Sequence, residues 1–302
     1  MKALGLWLVL LAVALSPAAA QVSVELTQEQ EQFLPAETIP LAVRITNRSG
    51  QTLVLGKTAE WLTFAIEARD GQVVPKLGEV PVAGEFKLES SRVVTLRVDV
   101  APYFLLTRPG RYAITATVQL KEWNQNFRSE PRSFDIIQGV RLWEQEIGLP
   151  GSESGTNAAP EIRKFVLQQA NYLKTQVRLY VRLTDASGSK TLRVFPIGPI
   201  VSFGRPEPQV DKFNNLHLLF QSGPHSYSYF VINPDGEIIA RRTYDYSEKR
   251  PHLAPDAEGK VLVTGGVRRP TANDIPPSKA EEAVAEKPKP KPAPGEMMLP
   301  EQ

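Results

Sequence analysis

Apolar and polar residues alternate with a period of two along most of the first half of the chain. "VSVEL" puts Val22, Val24 and Leu26 on one side, and "IPLAVRIT" does the same with Ile39, Leu41, Val43 and Ile45 against Ala42, Arg44 and Thr46. "LTFAIEARDG" aligns Phe64 with Ile66 and then turns at Asp70-Gly71. "VVTLRVDV" aligns Val94, Leu96, Val98 and Val100, and "RYAITATVQL" aligns Tyr112, Ile114, Ala116, Val118 and Leu120. Such alternation predicts strands with one buried and one wet face. Many of them between Gly, Pro, Asn and Asp turns predict an antiparallel sandwich over residues 21–140.

The second half has a longer rhythm. "VLQQANYLKTQVRLYVRLTDASGSKTLRVF" and "LLFQSGPHSYSYFVINPDGEIIARRTY" both read strand, strand, turn, strand, with a glutamine (Gln168, Gln221) after the first apolar run and an Asp/Gly turn after the second strand (Asp185 to Gly188, Asp235-Gly236). "GRPEPQVDKFNNLHLLF" and "KRPHLAPDAEGKVLVTG" share an Arg-Pro start, an Asp and Asn/Gly turn and an apolar strand, 45 residues apart from Arg205 to Arg250. A period of that length filled with short strands predicts a propeller-like β domain over 161–270. It holds two blades and the start of a third, whereas closure takes at least about four. An open sheet stack, a ring closed by association of chains and a second sandwich all remain compatible. A helix over 161–174 is the local alternative, since Pro160 and Glu161 suit a first turn. The fold class is therefore all-β: an Ig-like sandwich at 21–140, a linker at 141–160, the propeller-like domain at 161–270 and a tail at 271–302. Before the linker, "VRLWEQEIG" can close the first domain or open the second.

The ends differ in composition from the middle. "MKALGLWLVLLAVALSPAAA" has a lysine, a compact apolar core and Ala18 and Ala20 before Gln21, which predicts a secretory signal peptide over 1–20. The alternative, a membrane anchor, wants about 20 apolar residues and finds fewer. The tail has seven prolines, four lysines and six acidic groups in 32 positions, "EKPKPKPAPGE" among them, and is expected to be disordered and partly polyproline. In composition it resembles the periplasm-spanning segments of energy-coupling proteins.

The chain's 302 residues are 42% hydrophobic and 23% charged, with a formal net charge of +2. That balance gives no reason to expect a nucleic-acid partner. Residues 141–270 carry the positive share, 17 basic against 13 acidic groups. Cysteine is absent, which excludes a thiol nucleophile, thiolate metal ligands and an acylated cysteine anchor.

Chemistry-bearing residues are few. The three histidines, His217, His225 and His252, have spacings that match no metal motif. On "LHLLFQ", His217 shares a face with Leu219 and Gln221, and on "SYSYFV", Tyr227 and Tyr229 share one; the stretch is expected to be a hairpin packing one apolar face, with its rings on the other. Asn233-Pro234-Asp235-Gly236 reads as a turn and lacks the order of a calcium loop. No G-x-S-x-G elbow or phosphate loop occurs, and no motif calls for a cofactor. A glycosidase-type carboxylate pair can be distant in sequence, but nothing selects one. Arginines are the suggestive set. Arg178 and Arg182 share a strand face, and Arg241, Arg242, Arg250, Arg268 and Arg269 fall near strand ends; with Tyr227 and Tyr229 they form the candidate partner-binding residues. Guanidinium forks favour carboxylate and phosphate groups, so an envelope protein or a polyanionic glycan is the expected partner, with self-association a further option. The bland reading is a solvated sheet face.

Two resemblances follow from these residues. "LLTRPGRYAITATV", with Tyr112 opening a strand after a Pro109-Gly110 turn, resembles the tyrosine corner of immunoglobulin-like sandwiches. Ile114 stands where antibody domains place a cysteine. From "PEIRKFVLQQANYLKTQVRLYVRLTD" to "GKVLVTGGVRR" the chain resembles exported proteins of planctomycete and verrucomicrobial type. Neither resemblance implies a reaction. The expected function is a non-enzymatic exported protein for binding or envelope organisation. The alternatives are an envelope hydrolase using a carboxylate pair and a secreted protease inhibitor.

Overall fold

A computed structural model describes residues 21–82, 84–149, 161–201 and 203–276. The expected signal peptide at 1–20, residues 150–160 of the expected linker and residues 277–302 of the expected tail lie outside the described residues. The protein is all-β; its only helical pieces among the described residues are three short 3-10 turns. It divides into two compact units, Met1–Gln138 and Gly139–Gln302.

The first unit contains β1 (Val22–Thr27), β2 (Gln32–Phe33), β3 (Pro40–Asn47), β4 (Leu53–Leu55), β5 (Leu62–Ala68), β6 (Phe86–Leu88), β7 (Val93–Asp99), β8 (Gly110–Leu120), β9 (Gln125–Arg128) and β10 (Arg132–Ile136). One sheet runs β1-β3-β7. A second runs β2-β10-β8-β5 with β9 added to β8, and β4 pairs only with β6. All pairings are antiparallel except β2 with β10. Ile39 and, on β3, Leu41, Val43 and Ile45 meet Phe64, Ile66, Ile114, Ala116 and Val118 from the second sheet in one core. Burying each large side chain contributes about 1.5–3 kcal/mol, so the alternation alone sets which side of each strand turns inward. The tyrosine corner forms: the Tyr112 hydroxyl donates to the Arg108 carbonyl at 2.7 Å.

The second unit contains β11 (Val140–Leu149), β12 (Glu161–Tyr172), β13 (Gln176–Asp185), β14 (Thr191–Ile200), β15 (Glu207–Val210), β16 (Leu216–Gln221), β17 (Ser226–Ile232), β18 (Ile238–Asp245), β19 (His252–Pro255), β20 (Val261–Thr264) and β21 (Val267–Arg269). Its sheets are β11-β12-β13-β14, β15-β16-β17-β18-β21 and the pair β19-β20, none closed on itself. The repeat in the sequence corresponds to this order: β12-β13-β14 and β16-β17-β18 are the two long copies, and β15-β16 and β19-β20 are the two Arg-Pro hairpins.

Phe165, Leu167, Leu179, Val181 and Leu183 of the first of these sheets share a core with Leu216, Leu218, Phe220, Phe230 and Ile232 of the next. On the other face of that second sheet, Leu219, Tyr227, Tyr229 and Val231 pack with Leu253 and Val263 of the β19-β20 pair. The sheet β15-β16-β17-β18-β21 is thus covered on both sides. That explains "LHLLF": a strand buried on both faces loses the alternation.

Three expectations change. Residues 141–149, expected as linker, are the strand β11, paired with β12 along its length. Its alternation is hidden because both sides are mostly wet, with Ile147 the one fully buried side chain. The helix considered for 161–174 is the strand β12, with Phe165, Leu167 and Ala170 buried. The tail does not start at 271: Asp274 is buried, and Ile275 exchanges backbone hydrogen bonds with Arg241 of β18.

Candidate binding sites

β16 and β17 form the expected hairpin, with His217 opposite Val231 and Leu219 opposite Tyr229. His217 and Tyr229 are diagonal neighbours on one face, a spacing that aromatic side chains can bridge. His217 Nδ1 lies 2.7 Å from the Tyr229 hydroxyl, and Nε2 lies 3.1 Å from Asp211 Oδ2. Asp211 sits in the β15-β16 turn. Its Oδ1 accepts from the Phe213 and Asn215 amides, and Oδ2 also accepts from the Asn215 side chain. A carboxylate only accepts, so Nε2 carries a hydrogen, and in a neutral imidazole Nδ1 then accepts from Tyr229.

Electrostatics fix the protonation states of the two ends. Burial, reinforced by Tyr244, pushes the Tyr229 phenol up to about 12. Burial also pushes the Asp211 carboxyl up, but hydrogen bonds from Asn215, His217 and Phe213 outweigh it and leave it below its ordinary value. The order carboxylate–imidazole–hydroxyl is that of a nucleophilic triad. Here the hydroxyl is a buried phenol, protonated at neutral pH and already engaged, so the array acts as a tie between a turn and a hairpin.

The other two histidines lie elsewhere. His252 is exposed on β19, with Nε2 at 2.9 Å from the Thr264 hydroxyl, and His225 is exposed in the β16-β17 turn. Among the described residues no three His, Asp or Glu side chains converge as a metal site needs. Asn233 accepts the Asp235 and Glu237 amides as a turn residue does. The rings of the hairpin are on the face opposite Leu218 and Phe220, as expected, but that face is covered too.

The arginines do not form one patch. Arg178 and Arg182 lie on β13. Arg178 stacks over Tyr172 at 3.5 Å, and Arg182 donates to Gln168 and Thr191. Burial lowers the pKa of Arg182. Around β18, Arg268 pairs with Asp274 and Arg269 with Asp245, both at 3.1 Å. Arg241 donates to the Asn273 carbonyl. Arg250 pairs with Glu207 at 3.6 Å and lies over the Tyr227 ring. Arg242 stands opposite Tyr229 in the register. Most of the set is thus engaged in holding strands, turns and the start of the tail.

Two concave surfaces are present in the first unit, where no motif pointed. An open groove of about 930 Å³ runs past the tyrosine corner, lined by Arg69, Val73, Pro75, Leu105, Arg108 and Tyr112 among others. A smaller pocket of about 150 Å³ is bounded by β4, the 3-10 turn at 59–61 and residues 119–123. Its floor is Leu53, Leu55, Trp61 and Leu120, all buried, and Trp123 forms a half-buried wall. Lys57 and Glu122 pair across the rim at 2.5 Å. These lining residues come from segments up to about 70 positions apart, so neither cavity has a local signature.

No family model matches the sequence, and no curated protein is significantly similar to it. A solved structure of the sporulation control protein Spo0M from Bacillus subtilis aligns with 59% of this chain and 91% of that one, at 9% identity and a TM-score of 0.30. A likeness that slight supports no inference. Among the described residues no helix is long and apolar enough to cross a membrane.

Proposed function

We propose that the chain is an exported, non-enzymatic binding protein built from an Ig-like module and an open stack of propeller-type sheets. One observation carries the reading. The array with catalytic residue types, Asp211–His217–Tyr229, has its polar atoms engaged by one another and by the turn within the second unit, and an apolar concave pocket that suits a ligand is present in the first. Export rests on the first 20 residues. A protein partner is favoured over a polyanionic glycan because most arginines that would meet an anion already have partners within the fold.

Photo-crosslinking in the native envelope tests this. A photoreactive residue at position 73 or 57, in the two cavities, should capture a defined protein that the same residue at exposed Ile239 does not. Hydrolysis of envelope glycan or peptide by the purified chain, lost in a folded Asp211→Asn variant, would overturn it.

A further inference from the structure

The pocket beside β4 lies next to an unfinished sheet. Among the described residues β4 pairs with β6 alone, and no other backbone hydrogen bond involves Leu53, Val54 or Leu55. An unpaired strand edge is a template for another extended chain. The edge is held firmly. Asn47, fully buried, donates to the carbonyls of Gln51 at 2.7 Å and Leu88 at 2.9 Å, and so fixes the entry to β4 against β6. Leu53 and Leu55 point to the same side of β4, and both form pocket floor.

We infer that this is a peptide-recognition site: an extended segment of a partner protein adds as a strand beside β4 and inserts one bulky apolar side chain, preferably aromatic, between Trp61 and Trp123. The inference rests on the binding reading above and names its partner. Three features support that ligand. Side chains of an added strand at the level of Leu53 and Leu55 face the pocket, since alternate residues share a face. A cavity of about 150 Å³ is of the size that accepts one benzene-like ring. The rim carries one cation–anion pair, Lys57 with Glu122, and its Lys121 pairs at 4.0 Å with Glu60 just outside the lining. Paired charges of both signs suit a peptide of mixed composition and give a polyanion no net attraction.

The test uses the full chain, ¹⁵N-labelled, and a blocked heptapeptide in which Thr, Val and Lys flank one central Phe. Binding should shift amides of residues 53–58 and 119–123 and change tryptophan emission. Replacing the peptide's Phe by Ala should weaken binding about 10- to 100-fold. N-methylating the alternate amides that would face β4 should abolish it, because the strand could no longer donate. Trp123→Ala should lose binding with the remaining spectrum unchanged; if that variant unfolds, the two altered peptides still decide. An Ala peptide within two-fold of the Phe peptide, an N-methylated peptide that binds equally, shifts elsewhere, or phospholipid vesicles that displace the peptide from the same tryptophans would each overturn the site. Such a failure with position-dependent crosslinking intact sinks this inference alone. A carboxylate-dependent hydrolysis would instead sink the binding reading beneath it.

Discussion

A single phenol shows how little of a polar residue's role is set by its type. Tyr229 has the partners of a reactive hydroxyl and the burial of a core residue, and burial decides. Tyr229→Phe leaves the His217 nitrogen without a donor in a dry site, which costs about 1–3 kcal/mol; urea unfolding should show it as a lowered midpoint with unchanged slope. Asp211 works on the acid side. Its native pKa lies below the unfolded one, so its contribution is complete above about pH 5 and drains away as pH falls through the lowered native value. Asp211→Asn should therefore flatten part of the fall in stability on acidification, measured by denaturant melts across that range. In the first unit, Tyr112→Phe removes the hydroxyl bond to Arg108 and should cost about 1 kcal/mol, read as a lower melting temperature. The corner was legible because one tyrosine after a Pro-Gly turn is a local pattern. The Asp211–His217–Tyr229 tie was not, because it joins a turn to two strands and the spacing of its members carries no period.

Elements in the second unit repeat more faithfully than their letters. Asp211, Asn233 and Asp256 each accept the amides two and four residues on, at 2.8–3.1 Å. In each the fourth residue takes a positive φ: Asn214 at 65°, Gly236 at 77° and Gly259 at 77°. "DKFNN", "NPDGE" and "DAEGK" are therefore one hairpin turn in three spellings, whose short acceptor side chain and left-handed fourth residue are the physical requirement. A Cβ at Gly259 meets nothing within 4 Å, so the backbone alone sets the cost. Gly259→Asn should be nearly neutral and Gly259→Val should cost about 1–2 kcal/mol, compared by thermal denaturation. The same reasoning explains where pattern reading failed. β11 carries Glu144, Gln145 and Glu146 in succession and turns only Ile147 fully inward, with Trp143 half-buried against the same core, so its ladder to β12 does more than an apolar stripe to make it a strand.

At the scale of the whole molecule, every strand pairing among the described residues stays within one unit, and each unit has its own core. Residues 21–138 should therefore fold alone, giving a dispersed amide spectrum and a cooperative thermal transition of their own. The all-β class was legible because burial on one face writes a period of two into many of the strands. The cavities were not, because they exist only once distant segments meet. The start of the tail was missed for a related reason: a composition averaged over 271–302 says nothing of Asp274, which Arg268 holds at 3.1 Å.

The three layers of the second unit are unequally shielded, and time should reveal it. β16 lies beneath a sheet on one side and a hairpin on the other, while the β19-β20 pair has a layer on one side only, with Leu262 40% exposed on the other. In heavy water the amides of β19 and β20 should take up deuterium early and those of β16 and β17 last, so that the stack sheds its outer leaf long before its middle one.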